Sequence, residues 1–153
     1  MSPSDALISK SEMFWSLGVD TFNSTTTKAE SVRLDVSANR LYYGMFLAVC
    51  AYACKHRGMK VEENNPNAHR AAKALAQAIA GTHKEFLDWL SAYEQLEAAR
   101  AVADYADTHV EFAKLTPDKV IKPANKIRSA FILAAKDSTD QFKDVLFDLS
   151  KVL

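Results

Sequence analysis

The 153-residue sequence contains little of what interrupts a helix or crosslinks a chain: four glycines, four prolines and two cysteines. So few turn-forming residues argue against a fold of many short strands and favour long helices. Two cysteines are too few for a disulfide-stabilised scaffold. Nineteen basic residues balance nineteen acidic ones, so no net charge attracts nucleic acid or a membrane. Any such attraction must come from a local patch.

Long apolar runs are also missing. The longest stretch without charge, residues 41–54, is too short for the roughly 20 residues that a membrane helix needs, so no membrane is expected as a partner. The first ten residues lack a basic segment followed by an apolar one, so no secretion signal is expected. Cys50 and Cys54 lie four residues apart, and His56 falls on another helical face. They are interpreted as reduced core residues of a cytoplasmic protein, with no metal site and no cofactor.

The apolar periodicity predicts one all-α domain over residues 1–153, an antiparallel bundle of four to five helices with an extra C-terminal helix. The middle of the second helix is apolar on all sides, so it is expected at the centre of the bundle. The predicted helices cover residues 5–22, a segment from 31–37 to Gly58, residues 68–80 and 82–107, a fifth helix that begins at 116–118, and residues 139–152.

The last two predicted helices have clear apolar faces. Thr116 and Pro117 are favoured residues for the N-cap and the first position of the fifth helix. Its predicted buried face consists of Val120, Ala124, Ile127, Phe131 and Ala134. In the last helix, the corresponding residues are Phe142, Val145, Leu146 and Leu149.

Common catalytic signatures are missing. The sequence has no glycine-rich phosphate loop, no serine-hydrolase elbow and no HExxH zinc motif. The four histidines, at positions 56, 69, 83 and 109, are scattered, and each is interpreted as a surface or helix-end residue.

Two arginines interrupt apolar and aromatic helical faces. Arg40 shares a face with Tyr43, and Arg100 lies three and four residues from apolar positions on its own helix. A guanidinium remains charged and is expensive to bury alone, and Asp104 is one turn from Arg100. We therefore predict that Arg40, Arg100 and Asp104 meet between the second and fourth helices. They form either an internal ion pair or a cleft that binds an anion such as RNA phosphate.

Charge is distributed unevenly along the chain. Residues 84–111 include two basic and seven acidic residues, a net charge of −5, whereas residues 113–136 include six basic and one acidic residue, a net charge of +5. Lys119, Lys122 and Lys126 fall on one stripe of the fifth helix. This stripe is either a solvated face or a contact for phosphate or an acidic partner, with an affinity that falls as salt rises.

Two segments resemble the HEPN superfamily, the small helical domains often encoded beside nucleotidyltransferases. Residues 39–46, Asn-Arg-Leu-Tyr-Tyr-Gly-Met-Phe, are similar to the second-helix stretch of that family, an Arg followed by Tyr-Tyr, a small residue and Met-Phe. Residues 100–105, Arg-Ala-Val-Ala-Asp-Tyr, are similar to its fourth-helix stretch. His69 falls where many members have a histidine at the start of helix three. The resemblance extends from about residue 5 to residue 136.

The resemblance implies a dimerising bundle with a role in RNA cleavage, toxin–antitoxin pairs or antiviral defence. It also implies RNA and a nucleotidyltransferase-type or defence-complex protein as partners. Catalytic members resemble metal-independent endoribonucleases with an Arg, four to six further residues, and then a His. No arginine here has a histidine at that distance; His109, for example, is nine residues after Arg100.

The sequence thus predicts a HEPN-type dimeric accessory or toxin-like module that acts mainly by binding, with the second helix near the dimer interface. One alternative is a divergent metal-independent endoribonuclease, and another is a purely structural interaction bundle. Whether the chain is an enzyme stays open. The catalytic candidates would be Arg40, Arg100, Asp104, His69 and His109, and the nucleic-acid-binding candidates are Lys119, Lys122 and Lys126.

Overall fold

The computed structural model describes residues 2–24, 31–60 and 66–151. Within these ranges the chain is all α and contains no strand, which confirms the predicted helical bundle. Its five α-helices are α1 (Pro3–Asn23), α2 (Ser31–His56), α3 (Pro66–Thr82), α4 (Leu87–Tyr105) and α5 (Lys122–Lys136). None of the helices in the described ranges is long and apolar enough to cross a membrane.

Helices α1 and α2 pack antiparallel, with a register fixed by three buried serine hydroxyls. Each hydroxyl donates to a backbone carbonyl of the other helix, so these buried polar groups are satisfied. The bonds join Ser4 to Ala51 at 3.0 Å, Ser11 to Gly44 at 2.6 Å and Ser37 to Gly18 at 2.8 Å. The positions rise on one helix as they fall on the other, which is the pattern of an antiparallel pair.

Two glycines allow this close approach. A Cβ atom at Gly44 would lie 2.9 Å from the backbone nitrogen of Trp15, and one at Gly18 would lie 2.8 Å from Cγ of Leu41. Since both distances are shorter than real Cβ contacts, a larger residue would push the helices apart. Gly44, the small residue of segment 39–46, therefore has a packing role.

Helix α2 lies at the centre of the bundle, as predicted. Between residues 41 and 53, every side chain is buried except that of Tyr43, which is partly exposed. Cys50 is buried and Cys54 partly buried, and both are free thiols. Burial raises the pKa of Cys50, so its thiolate is disfavoured. In the described ranges, no three His, Cys, Asp or Glu side chains converge as they would around a metal ion.

The start of the fifth helix differs from the prediction. Residues Pro117–Ile121 form a π-helical turn, and the α-helix begins only at Lys122. Thr116 occupies the N-cap position and Pro117 the first helical position, as predicted, but Thr116 makes no side-chain capping hydrogen bond, and its buried hydroxyl has no partner in the described chain. Its backbone carbonyl instead accepts from the N–H of Val120 at 2.9 Å. The five residues of the predicted apolar face of this helix are all buried.

The extra C-terminal helix is present only as a short 3₁₀ turn, Leu149–Lys151. The predicted extent of residues 139–152 is wrong for residues 139–148, which form bends and a turn, and residue 152 lies outside the described chain. Leu146, predicted to be buried, is 94% exposed, whereas the other three residues of that predicted face are buried.

Arg57, the residue that follows α2, explains this difference. Its guanidinium donates to the backbone carbonyls of Phe142 at 2.6 Å and Val145 at 2.8 Å, and it pairs with Asp140 at 3.2 Å. A helix would direct these two carbonyls along its own axis. The long-range contacts to Arg57 thus hold residues 140–145 in a non-helical path.

Candidate functional site

Arg100 projects from α4 into an aromatic setting against α2. Its guanidinium donates to the hydroxyl of Tyr43 at 3.1 Å, and its central carbon lies 5.5 Å from the ring centres of Tyr42, Tyr43 and Tyr105. Its Nε lies 2.9 Å from Asp104, but the N–H is not aligned with that oxygen, so the contact is an ion pair rather than a hydrogen bond. The side chain is only 18% exposed. Arg100 is therefore partnered within its own chain.

Arg40 reaches this cluster only indirectly. It donates to the side-chain oxygen of Asn39 at 2.9 Å, and the Asn39 amide donates to Asp104 at 3.1 Å. Its guanidinium lies 5.7 Å from the ring centre of Phe14 on α1. No carboxylate in the described chain forms an ion pair with it. The predicted meeting of three residues is thus confirmed for Arg100 with Asp104, while Arg40 joins them through Asn39.

A shallow pocket of about 270 Å³ opens where these residues meet the surface. It is lined by Asp35, Val36, Asn39, Arg40, Ala103 and Asp104. The lining contains one cationic side chain, Arg40, and two carboxylates, Asp35 and Asp104. Arg100 forms an ion pair with Asp104. An anion entering the pocket would therefore meet a single guanidinium beside unfavourable charge.

His69, in the first turns of α3, lies in the same aromatic cluster. Its Nδ1 is 2.8 Å from the hydroxyl of Tyr42, and its ring stacks on Phe46 with 4.1 Å between ring centres. Burial and then the charge of Arg100 lower the pKa of His69, against the opposing effect of Glu97. The imidazole is therefore neutral at pH 7 and packed between aromatic rings.

His109 lies elsewhere, on the connector between α4 and α5. Its Nδ1 is 2.5 Å from Asp35, whose other oxygen accepts the backbone N–H of Val110 at 2.8 Å. Asp35 was not among the candidates from the sequence. Its spacing of four residues from Asn39 was the available signal, because two polar residues at that spacing share one face of a helix.

The predicted lysine stripe is exposed along its whole length. Lys122 pairs with Asp118 at 2.9 Å, an exposed pair of little energetic weight, and Lys126 lies 5.8 Å from the ring centre of Trp89. The exposed face of this helix continues beyond the predicted residues. The full lysine row is Lys119, Lys122, Lys126 and Lys136, with Ser129 and Leu133 exposed between the last two.

The two remaining histidines have structural contacts. The His56 ring is 2.9 Å from the backbone carbonyl of Ala134 on α5, and the His83 ring is 3.1 Å from Asp144 in the C-terminal segment. Both contacts join distant parts of the chain at helix ends, in line with the interpretation from the sequence.

The arrangement combines an internally paired arginine, a neutral packed histidine and an exposed row of cations. The first two suit the packing of α2, α3 and α4, and the third suits an anionic partner.

Comparisons of the chain with protein-family models, with curated proteins and with solved structures found no match.

Proposed function

We propose that this chain is a cytoplasmic, HEPN-type accessory or toxin-like module of an RNA-directed or defence-related system, and that it binds RNA without cutting it. The observation that carries the proposal is the lysine row. Three of its cations lie within eight residues and are exposed, with Asp118 as their nearby counter-charge. The resemblance of segments 39–46 and 100–105 supplies the family.

The row suits a phosphate backbone in both spacing and flexibility. At a helical rise of about 1.5 Å per residue, the steps from Lys119 to Lys122 and from Lys122 to Lys126 are roughly 4.5 and 6 Å along the axis. Their long side chains allow each ammonium to follow a phosphate as a mobile point charge. Such contacts release counterions and need no particular base sequence.

Binding without cleavage follows from the state of the arginine and histidine candidates. Metal-independent cleavage requires an acid and a base placed around the scissile phosphate. Arg100 already contacts Asp104 and three aromatic rings, and His69 is half-buried against Tyr42. A phosphate could reach either group only by displacing these contacts.

The divergent endoribonuclease remains a second candidate because of one observation. Asp35, which holds His109, lines the same pocket as Arg40 and Asp104. Such cleavage would use the carboxylate-bound His109 as the acid–base group and Arg40 to hold the phosphate. RNA cleavage in chelator that His109→Gln abolishes would favour this candidate over the binding module.

We further propose that the module is a homodimer. The apolar middle of α2 packs within its own chain, so the interface is placed at the open edge of α1 and α2. There Met13, Leu17 and Val36 are 49%, 47% and 39% exposed. Light scattering should give a dimer that Leu17→Lys converts to a monomer. Leu87→Lys, at a leucine of α4 that is 58% exposed, should leave the dimer intact; a wild-type monomer at micromolar concentration would contradict the proposal.

The RNA proposal is tested by fluorescence anisotropy with labelled single-stranded RNA and transfer RNA in chelator. Changing Lys119, Lys122 and Lys126 together to Gln should weaken binding about tenfold or more. A control variant with the same charge change replaces the exposed Lys10, Lys55 and Lys60 and should bind within about twofold of the wild type. A denaturing gel should recover the RNA intact. Equal losses in both variants, or no wild-type binding at low salt, would refute the assignment.

A further inference from the structure

A second concave surface lies between α4 and the connector, residues 106–115, and none of the lysines of the row lines it. It has a volume of about 320 Å³. The apolar part of its lining includes Ala98, Val102 and Val110, and the polar part includes His109, Glu111 and Lys114. This volume is at the lower end of the range for small-molecule sites, which are commonly apolar with a few polar groups at fixed positions.

The groove is held open by contacts outside it. Asp35 on α2 binds both the His109 ring and the Val110 N–H, at 2.5 and 2.8 Å. Further along the connector, Phe112 stacks on Phe22 of α1 with 5.6 Å between ring centres. These two attachments hold the connector to α1 and α2 in addition to its own contacts with α4. The space over α4 is therefore part of the folded structure before any ligand arrives.

The charges of the rim specify the ligand. Lys114 is exposed and has no ion pair or side-chain hydrogen bond within the described ranges. The Nδ1 of His109 is held by Asp35, so Lys114 is the unpaired cation of the groove lining. Glu111 is the acidic side chain of the lining. One unpaired ammonium beside a single acid suits one negative charge rather than two.

We propose that this groove binds a small amphipathic carboxylate. Its apolar body lies on Ala98, Val102 and Val110, and its carboxylate contacts Lys114. A ligand of about a dozen non-hydrogen atoms matches a site of this size. The inference is independent of RNA binding, since it involves none of the lysines of the exposed row.

Three probes that differ only in the charge of the head group test the proposal: 4-phenylbutyrate, 4-phenylbutanamide and 4-phenylbutylamine. In ¹H–¹⁵N spectra of the full chain, the carboxylate should saturate with a Kd of roughly 1 mM. It should shift the backbone amides of Ala98, Val102 and Val110. The neutral amide should bind about fivefold more weakly or worse, and the amine should be weakest. Equal affinities for all three, shifts centred elsewhere, or no saturation by 10 mM 4-phenylbutyrate would overturn the proposal.

Two variants locate the site. Val102→Trp fills the groove and should abolish the shifts, and Lys114→Gln should weaken carboxylate binding about five- to tenfold while leaving amide binding unchanged. Lys143→Gln removes an exposed lysine outside the groove and should bind like the wild type. If Val102→Trp does not fold, the comparison of Lys114→Gln with Lys143→Gln still tests the proposed contact between Lys114 and the carboxylate. Equal effects of the two substitutions would refute that contact.

Discussion

Replacing Arg100 tests whether the arginine cluster between α2 and α4 holds the bundle together. Arg100→Met keeps the length of the side chain but removes the charge and the donors. The variant loses the contact with Asp104, the hydrogen bond to Tyr43 and the contacts with three aromatic rings. We expect the fold to survive and the free energy of unfolding to fall.

The expected loss is smaller than for a fully buried ion pair. Breaking such a pair typically costs about 3–5 kcal/mol, because one charge is left without a partner. Here the side chains of Arg100 and Asp104 are 18% and 25% exposed, and Asp104 keeps its hydrogen bond from Asn39. Water therefore compensates part of the loss. Together with weakened cation–π contacts, we expect about 2–3 kcal/mol.

Thermal unfolding by circular dichroism measures this loss. For a chain of this length, about 2–3 kcal/mol should lower Tm by roughly 5–10 °C. Asp104→Asn, which keeps the shape of the side chain, should cost less, at about 1 kcal/mol. Arg100→Lys should fall between Arg100→Met and the wild type, because one ammonium cannot reproduce the planar guanidinium contacts.

Two results would refute this reasoning. If Arg100→Met and Asp104→Asn both unfolded within about 2 °C of the wild type, the cluster would contribute nothing to stability. If Arg100→Lys matched the wild type, the contacts specific to the guanidinium would be irrelevant. Either result would mean that the structural role of Arg100 does not prevent it from binding a ligand.

Two further predictions concern packing and pH. Gly44→Ala should lower the free energy of unfolding, measured by urea titration, by about 1–3 kcal/mol, because its Cβ would meet the α1 backbone. The control Gly81→Ala has open space around its Cβ and should be neutral or stabilising. The folded state lowers the pKa of His69, so the unfolded state takes up a proton on this ring first as pH falls. The contribution of the neutral ring to the free energy of unfolding is therefore complete above about pH 6.5 and is lost below it. Tm should therefore drop between pH 7 and pH 5, and less steeply in His69→Gln than in the control His83→Gln; parallel profiles would contradict this.

The sequence predicted those features that depend on local spacing. The apolar face of α5 and the pairing of Arg100 with Asp104 both follow from helical periodicity, and both are present. The central position of α2 follows from its uniformly apolar middle, and it too is confirmed.

Features that depend on distant residues were not predictable. Asp35 and His109 are 74 residues apart, and no local pattern links them. Residues 139–148 have a helical pattern, but Arg57 binds two of their carbonyls and keeps them out of a helix. In both cases a tertiary contact outweighs local preference.

The dependence of RNA affinity on salt tests the central claim most directly. Each phosphate contact in single-stranded RNA should contribute about −0.7 to the slope of log K against log salt. If Lys119, Lys122 and Lys126 make three such contacts, replacing them with Gln should make the slope shallower by about 2. The variant of Lys10, Lys55 and Lys60 should keep the wild-type slope, with the RNA intact throughout. Identical slopes for the wild type and the Lys119, Lys122 and Lys126 variant would contradict the account.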